Sequence, residues 1–269
     1  MREEQAGGAK APSPVDRGQA LAADGRRRGW VWLRETVLDF FFPRVCLVTG
    51  EAVEPDSPYR FFSHAGARGL YRVEPPACST CGFPFFGVLA GPRSCPHCQE
   101  LEPVFGEGRT CLLMRAAGRQ LVHVLKYRNG RYLRPDIVAI ARHCPGFSEF
   151  LAGAVLVPVP LHRNKARRRG YNQSRLIARA WADALPGCQL LDALERVRNT
   201  PSQTRLSREK REANVRGAFA LQSGVTLTAR TRYVLVDDVF TTGATLNACA
   251  RVLRGAGARA IDVATLGHG

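Results

Sequence analysis

The most constraining feature of this sequence lies near its carboxy-terminal end, where a short apolar run leads directly into two acids. Residues 233–236 are apolar and rich in β-branched side chains, which predicts a buried parallel strand. Asp237 and Asp238 follow, then Thr-Thr-Gly-Ala-Thr at 241–245, and then a helical pattern. A strand that ends in acids and enters a helix through glycine and hydroxyls predicts an α/β fold with a ligand site at that turn.

This turn has the chemistry to hold a phosphate beside a sugar. A helix N-terminus presents backbone N–H groups and partial positive charge, which attract an anion. Gly243 lets the backbone approach a ligand closely, and the neighbouring threonines add hydroxyl donors. The two acids could grip vicinal hydroxyls or a magnesium ion. An ordinary strand–turn–helix unit with nothing bound is the alternative, and a P-loop is excluded because no Gly-Lys-Ser/Thr is present.

Length, charge and cysteine content bound the class of protein. The 269 residues suit one medium domain plus a small one, and 45% hydrophobic content is ample for a core. With 39 basic and 23 acidic residues the net charge is +16, which favours an anionic ligand, either nucleic acid or a polyphosphate. Nine cysteines, four of them in two Cys-x-x-Cys pairs, indicate metal binding in a reducing compartment, so we expect a cytoplasmic protein. We expect no integral membrane segment, since no apolar stretch is long enough to span a bilayer.

Two cysteine pairs predict a metal site. Cys78 and Cys81 form one Cys-x-x-Cys turn, Cys95 and Cys98 form the other, and thirteen residues separate them. Each turn can aim two thiolates at one ion, so together they predict a tetrahedral, structural zinc site. The metal would supply much of the folding energy of a module this small. A redox dithiol is the alternative.

The chain divides into three predicted parts. Residues 1–29 are rich in Gly, Ala, Pro and charge and are interpreted as a disordered tail. Residues 30–106 are expected to hold a short helix and a zinc-ribbon module. Within them, Cys46 and Thr49 belong to a second knuckle that lacks the cysteines for metal, so we expect one zinc ion per chain. Residues 107–269 are expected to form the larger α/β domain.

A strongly basic region follows a second buried strand, which is predicted at residues 154–160. Between residues 160 and 216 there are 14 basic and 5 acidic residues. Ligands of open α/β sheets bind at the carboxyl ends of strands, so this region would lie beside the acidic pair. A solvated surface is the alternative, but a polyphosphate needs neutralising cations.

The acidic-pair stretch resembles the motif that binds phosphoribosyl pyrophosphate (PRPP) in type I phosphoribosyltransferases. The resemblance narrows to the ComF family, whose bacterial members are linked to natural competence, the uptake of single-stranded DNA. The segments that match in order and spacing are 125–127, 157–162, 169–173, 200–203, Arg211, Asn214 and 217–219. The resemblance implies a type I phosphoribosyltransferase fold, in which a Rossmann-like, mostly parallel sheet is flanked by helices, joined to a small N-terminal zinc ribbon.

The resemblance also implies roles for individual residues. The acidic pair would hold the ribose hydroxyls, the threonine loop would hold the 5′-phosphate, and Mg²⁺ would accompany PRPP. The residues implied in PRPP binding are Asp237, Asp238, Val239, Phe240, Thr241, Thr242, Gly243, Ala244 and Thr245. Those expected at the pyrophosphate end of the reaction are Lys126, Arg169, Gln203, Arg211 and Asn214, the last three in a long loop that resembles a lid.

Two hypotheses about function follow. The first is a transferase that moves phosphoribosyl from PRPP to an acceptor, which the sequence does not identify. The second is a non-catalytic competence factor that binds single-stranded DNA through its basic loops. Retention of both acids favours the first, because a DNA binder has no use for carboxylates in a basic site. Tyr171 and Phe240 are the aromatic candidates for base stacking, and we expect both to pack instead. Self-association and contacts with the competence machinery are left open.

Overall fold

A computed structural model of the chain describes residues 43–85, Cys95, Cys98, 101–198 and 215–269. Val45–Gly269 form one compact unit. The tail expected at residues 1–29 and the helix expected after it lie outside the described residues. The division of the chain at residue 107 stays a prediction.

The centre of the fold is a parallel β-sheet. The described strands are β1 (Gly108–Leu113), β2 (Val155–Pro158), β3 (Gln189–Leu190), β4 (Leu194–Arg196), β5 (Phe219–Leu221), β6 (Arg232–Phe240) and β7 (Ala260–His268). Five of them lie side by side in the order β1-β7-β6-β2-β3, and each neighbouring pair is parallel. Strands β4 and β5 form a separate antiparallel pair. The predicted mostly parallel α/β sheet is therefore confirmed.

Amphipathic helices cover the sheet. The described helices are α1 (His64–Ala67), α2 (Ala116–Tyr127), α3 (Arg134–His143), α4 (Phe147–Leu151), α5 (Arg163–Arg169), α6 (Gln173–Ala184) and α7 (Ala244–Gly255), with a 3-10 turn at Gly130–Leu133. Helix α6 shows why such segments fold as they do. It buries Ile177, Ala178 and Trp181 on one face, at helical spacing. Its N-terminus is capped by Asn172, whose Oδ1 accepts the N–H of Ser174 at 3.1 Å. Among the described residues, none of the helices combines the length and hydropathy that a membrane span requires.

Strand β6 is buried on both faces, which explains its unbroken apolar run. Val234 and Val236 belong to one buried cluster, while Tyr233 and Leu235 belong to another. Successive side chains of a strand point to opposite faces, so β6 separates two cores. The first core contains side chains of α2, α3 and α6, and the second contains those of α7 together with the two cysteine pairs.

Two elements differ from the sequence-based expectations. The basic segment after residue 160 contains helix α5, where the sequence predicts a loop. His162 caps this helix by accepting the N–H of Asn164 at 3.3 Å, and Gly170 ends it with a φ of +81°. Strand β7, which was not predicted, lies inside the sheet between β1 and β6.

The knuckle around Cys46 keeps its shape. The Cys46 N–H donates to the carbonyl of Glu51 at 2.7 Å, and Gly50 turns the chain with a φ of +74°. Burial raises the pKa of the Cys46 thiol, but hydrogen bonds with Ser63 and Thr49 outweigh it and lower the pKa to about 7. The hydroxyl groups of this knuckle therefore favour the ionised thiolate form of Cys46. The expectation that it has no metal role stays a prediction.

Candidate functional site

A cavity of about 710 Å³ opens at the point where the strand order changes direction. After β2 the chain continues to β3 on one side of the sheet, and after β6 it continues to β7 on the other side. Ligands of open α/β sheets bind at such switch points. The lining residues are Lys126, Tyr127, Asn129, Val159, Pro160, Leu161, Lys165, Arg168, Arg169, Asn172, Gln173, Ser174, Arg196, Asp237, Asp238, Val239, Thr241 and Thr245.

Much of the predicted site comes together around this cavity. The predicted residues among its lining are Lys126, Arg169, Asp237, Asp238, Val239, Thr241 and Thr245. Phe240, Gly243 and Ala244 are buried in the turn and are absent from that lining. Thr242 accepts the Ala244 N–H at 3.5 Å through Oγ1. Gln203, Arg211 and Asn214 lie outside the described residues, in 199–214.

The two acids face different partners, and they lie inside β6, which continues to Phe240 instead of ending before them as the sequence predicts. Oδ1 of Asp237 accepts from the Ser174 hydroxyl and from the Asp238 N–H, each at 2.8 Å. Oδ2 of Asp238 lies 3.2 Å from Nζ of Lys126. Burial, followed by the nearby charge of Asp238, raises the pKa of Asp237 to about 7. Near pH 7 the Asp237 carboxyl is therefore only partly ionised.

The segment that follows Arg169 positions both partners of the acidic pair. The Tyr171 hydroxyl donates to the carbonyl of Leu125, the residue before Lys126 at the end of α2. Asn172 caps α6, which places Ser174 in the first turn of that helix. These contacts hold the lysine and serine side chains against the end of β6. The positioning role of this segment was not predicted from the sequence.

The cavity is basic apart from the acidic pair. Its basic side chains are Lys126, Lys165, Arg168, Arg169 and Arg196. Burial, reinforced by the charge of Arg196, lowers the pKa of Lys165. The Arg196 guanidinium lies 5.2 Å from the ring centroid of Phe219, and burial lowers its pKa as well, while Asp237 opposes that shift. Cations crowded together in this way favour a bound anion. Arg196 was missed because no local spacing distinguishes it from the other basic residues of its region.

One aromatic side chain at the cavity was also missed. Tyr171 and Phe240 pack against the protein, as predicted, and Phe240 is 1% exposed. Tyr127, in contrast, is 64% exposed and lies among the cavity lining. The Arg169 guanidinium is 5.7 Å from its ring centroid. The signal was present in the sequence, because Tyr127 belongs to the matched segment 125–127.

The two cysteine pairs converge on one point. The sulfur atoms of Cys78, Cys81, Cys95 and Cys98 all lie within 4.8 Å of one another and are buried. Sγ of Cys81 and Sγ of Cys95 are 3.5 Å apart, close to the ~3.8 Å expected for two thiolates of a tetrahedral zinc site. The Cys95 N–H donates to Cys78 Sγ at 3.3 Å, and the Phe83 N–H donates to Cys81 Sγ at 3.4 Å. This cluster could hold a zinc ion, since soft thiolate donors suit that metal.

Comparison with known proteins agrees with the fold. Residues 126–267 match the family model described as Phosphoribosyl transferase domain. Together with the parallel sheet and the cavity at its switch point, this match defines a protein with a type I phosphoribosyltransferase fold. The crystal structure of purine phosphoribosyltransferase from Pyrococcus horikoshii Ot3 is 12% identical in sequence. The match covers 51% of this chain and 82% of that one, and its TM-score of 0.27 is too low to support the fold assignment.

Three relatives indicate the family within this fold. Competence protein F of Haemophilus influenzae is 38% identical over 108 residues, which are 40% of this chain and 47% of that protein. The DNA utilization protein YhgH of Escherichia coli K12 is 30% identical over 201 residues, 71% of this chain and 84% of that protein. Competence protein ComFC of Streptococcus pneumoniae is 25% identical over 205 residues, 70% of this chain and 86% of that protein. The chain belongs to the ComF family of proteins with a phosphoribosyltransferase domain. It spans about half the length of the first of these relatives.

Proposed function

We propose that this protein binds PRPP with Mg²⁺ in the cavity at the end of β6 and transfers its phosphoribosyl group to an acceptor. The observation that carries the proposal is the position of Asp237 and Asp238 within the last four residues of a buried strand, where they line an otherwise basic cavity. A site for a simple anion gains nothing from two carboxylates. A ligand with a sugar diol between phosphates uses both kinds of group.

The threonine turn is the proposed seat of the 5′-phosphate. Thr241 and Thr245 line the cavity, and α7 begins at Ala244 with Gly243 as a cap that has no side chain. Backbone N–H groups of the first turn of a helix attract a phosphate. We assign the ribose hydroxyls to Asp237 and Asp238, whose oxygens also suit Mg²⁺.

The pyrophosphate end is assigned to the basic side of the cavity. Lys126, Arg168 and Arg169 line it there, and Arg196 and Lys165 add further charge. In the transfer, the bond between the anomeric carbon and the pyrophosphate oxygen breaks, and its electron pair leaves with pyrophosphate. The acceptor nucleophile forms the new bond to that carbon and gives up its proton to water or to the departing pyrophosphate. Basic side chains held in place stabilise the negative charge that develops on the leaving group. When bound with PRPP, Mg²⁺ neutralises part of the same charge.

The remaining assignments follow the family resemblance. Gln203, Arg211 and Asn214 are proposed to belong to a lid that excludes water from the activated sugar. The four-cysteine cluster is proposed to hold one structural zinc ion, which four thiolates would close to substrate and water. A cytoplasmic location and self-association stay predictions.

Thermal stability tests the proposal directly. PRPP with Mg²⁺ at about a hundred times its dissociation constant should raise the melting temperature by about 5–10 °C. The double variant Asp237→Asn, Asp238→Asn should lose this shift while keeping its fold by circular dichroism. A matched control is Glu51→Gln with Asp56→Asn, which removes two acids from the exposed surface and should keep the shift. No shift in the unaltered protein would exclude PRPP as its ligand.

A second candidate function is binding of single-stranded DNA, and Tyr127 favours it. An exposed aromatic ring among arginines is the arrangement on which unpaired bases stack. The names of the relatives refer to competence and DNA utilization. We expect affinity for single strands to fall steeply with salt, with a smaller slope after Arg167, Arg168 and Arg169 are changed to alanine. Tyr127→Leu should weaken binding without changing the slope. A flat salt dependence in the unaltered protein would rule this candidate out.

A further inference from the structure

The four-cysteine module packs directly against the threonine turn. Leu101 follows Cys98 by three residues, and its N–H donates to the Cys98 carbonyl at 3.1 Å. Its side chain is 3% exposed. A Cβ atom placed on Gly243 would lie 2.6 Å from Leu101 Cδ2 and 2.8 Å from Phe240 Cζ. Leu101 therefore fills the space on the core side of the turn, while Thr241 faces the cavity on the other.

A buried amide ties the same segment to helix α7. Asn247, in the first turn of that helix, is 8% exposed. Its Oδ1 accepts the Val104 N–H at 2.8 Å, and its Nδ2 donates to the Glu102 carbonyl at 3.3 Å. A buried polar side chain with both ends satisfied fixes the two segments relative to each other. The helix that begins at the turn is thereby attached to the chain that leaves the cysteine cluster.

A series of ring contacts makes a third connection. Phe83 follows Cys81 by two residues and meets His268 edge to face, with ring centroids 5.0 Å apart. His268 stacks on Phe240 at 5.2 Å and 16° between the ring planes. Phe240 directly precedes Thr241. The first cysteine pair is thus connected to the turn through Phe83, His268 and Phe240, whereas Leu101, after the second pair, lies directly against it.

The stability of these contacts depends on the cysteine cluster. The four cysteines, Leu101, Phe240 and Ala244 belong to one buried cluster. Hydrophobic burial alone rarely stabilises so short a segment, whereas a cation bound by all four sulfur atoms would hold it in place. The loss of the cation would therefore loosen Leu101 and the segment around it.

We propose that Leu101 and Asn247 are positioning residues that fix the threonine turn, so that metal occupancy of the four-cysteine cluster controls how well that turn binds phosphate. The proposal rests on the proposed function for the identity of the ligand. It does not require any contact between the metal and PRPP. The turn would bind phosphate well only while the four cysteines hold a metal ion.

Leu101→Ala is the central variant, because it removes the contact with Gly243 and leaves all four cysteines in place. It should retain zinc by elemental analysis, but its affinity for PRPP with Mg²⁺ should fall on the order of tenfold to a hundredfold, as small displacements of a site can cost. Amide hydrogen exchange of residues 241–247 should become faster. Leu101→Met, which refills the space, should restore both properties.

The matched control is Leu185→Ala, which opens a cavity in the other core, at the end of α6. It should lower stability and leave both PRPP affinity and exchange at 241–247 unchanged. Asn247→Ala should resemble Leu101→Ala, and Asn247→Asp should recover part of the affinity because it keeps the acceptor for the Val104 N–H. If Leu101→Ala and Leu185→Ala weaken PRPP binding equally, the positioning role is wrong.

Removal and return of zinc complete the test. Chelation should speed exchange at 241–247 more than in strands β2 and β6, and adding zinc alone should reverse it. Unchanged exchange at the turn in zinc-free protein would overturn the proposal. The exchange measurement needs no PRPP, so it separates the two ideas: a protein that never binds PRPP refutes the proposed function, whereas a turn indifferent to zinc and to Leu101 refutes this inference.

Discussion

Nζ of Lys126 lies 3.2 Å from Oδ2 of Asp238, and the two side chains are 28% and 12% exposed. The pair joins the last turn of α2 to the end of β6. It therefore links the proposed pyrophosphate side of the cavity to the proposed ribose side. The same ammonium group can pair with the carboxylate or with a phosphate, so ligand binding would exchange one partner for another.

Lys126→Met tests this exchange. The substitution keeps most of the side-chain length and removes the charge. We expect affinity for PRPP with Mg²⁺ to fall tenfold or more, because hydrogen bonds to charged groups contribute ~1.5–3 kcal/mol. Titration calorimetry measures the change, and Lys126→Arg, which keeps the charge, should lose less. Equal affinity in the methionine variant and the unaltered protein would remove Lys126 from the proposed site.

The raised pKa of Asp237 predicts a pH-dependent stability. Its native pKa is about 7, whereas an unfolded aspartate titrates near ~3.9. Between these values the native protein holds a proton that the unfolded chain has released, so the free energy of unfolding should fall as pH rises from about 4 to about 7. Each unit of pKa corresponds to ~1.4 kcal/mol, so the total is at most about 4 kcal/mol.

Chemical unfolding of Asp237→Asn from pH 4 to 8 measures this effect. The amide does not titrate, so the variant should gain stability relative to the unaltered protein as pH rises, and the difference should level off above pH 7. Glu51→Gln, at an exposed carboxyl, is the control and should show a nearly constant difference. A constant difference for Asp237→Asn would mean that this carboxyl is not held protonated in the native protein.

Zinc content tests the cysteine assignment. Elemental analysis should find about one ion per chain, and Cys98→Ser should lose it together with much of the stability of the module. Cys188→Ser is the matched control, since Cys188 is half-buried and donates to the Leu151 carbonyl, as serine can. Two ions per chain would show that the knuckle around Cys46 also binds metal.

The predictable part of the site is the part encoded locally. The apolar run, the acids, the glycine turn and the helix are contiguous between residues 233 and 255, so a single pattern defines them. The two cysteine pairs are equally local. Strand β7 has a weaker local pattern, because Ile261 and Val263 stand between alanines and a single carboxylate, and Asp262 is unusual inside a central strand.

The rest of the site depends on strand order, which no local pattern contains. Ser174 and Arg196 reach the cavity from α6 and β4, far along the chain from Asp237. Likewise, the contact between Leu101 and Gly243 joins segments that only the folded sheet brings together. The sequence predicts a loop where helix α5 forms, because the segment is mostly charged and shows no apolar period. None of residues 163–169 is buried.

Arg196 gives the last prediction, because it reaches the cavity from outside the recognised motifs. Its guanidinium is attracted to Asp237 and lies 5.2 Å from the ring centroid of Phe219. Arg196→Met should weaken binding of inorganic pyrophosphate by about tenfold, since a charge-assisted contact of ~1.5 kcal/mol is lost.

Arg196→Met should also raise the pKa of Asp237 further, because a neighbouring positive charge favours the ionised carboxylate. In unfolding experiments the pH window of falling stability should therefore extend above pH 7. Arg196→Lys, which keeps the charge, should leave that window in place. If the methionine variant shifts neither the pyrophosphate affinity nor the pH window, Arg196 only packs on Phe219 and the basic side of the cavity is formed by α2 and α5.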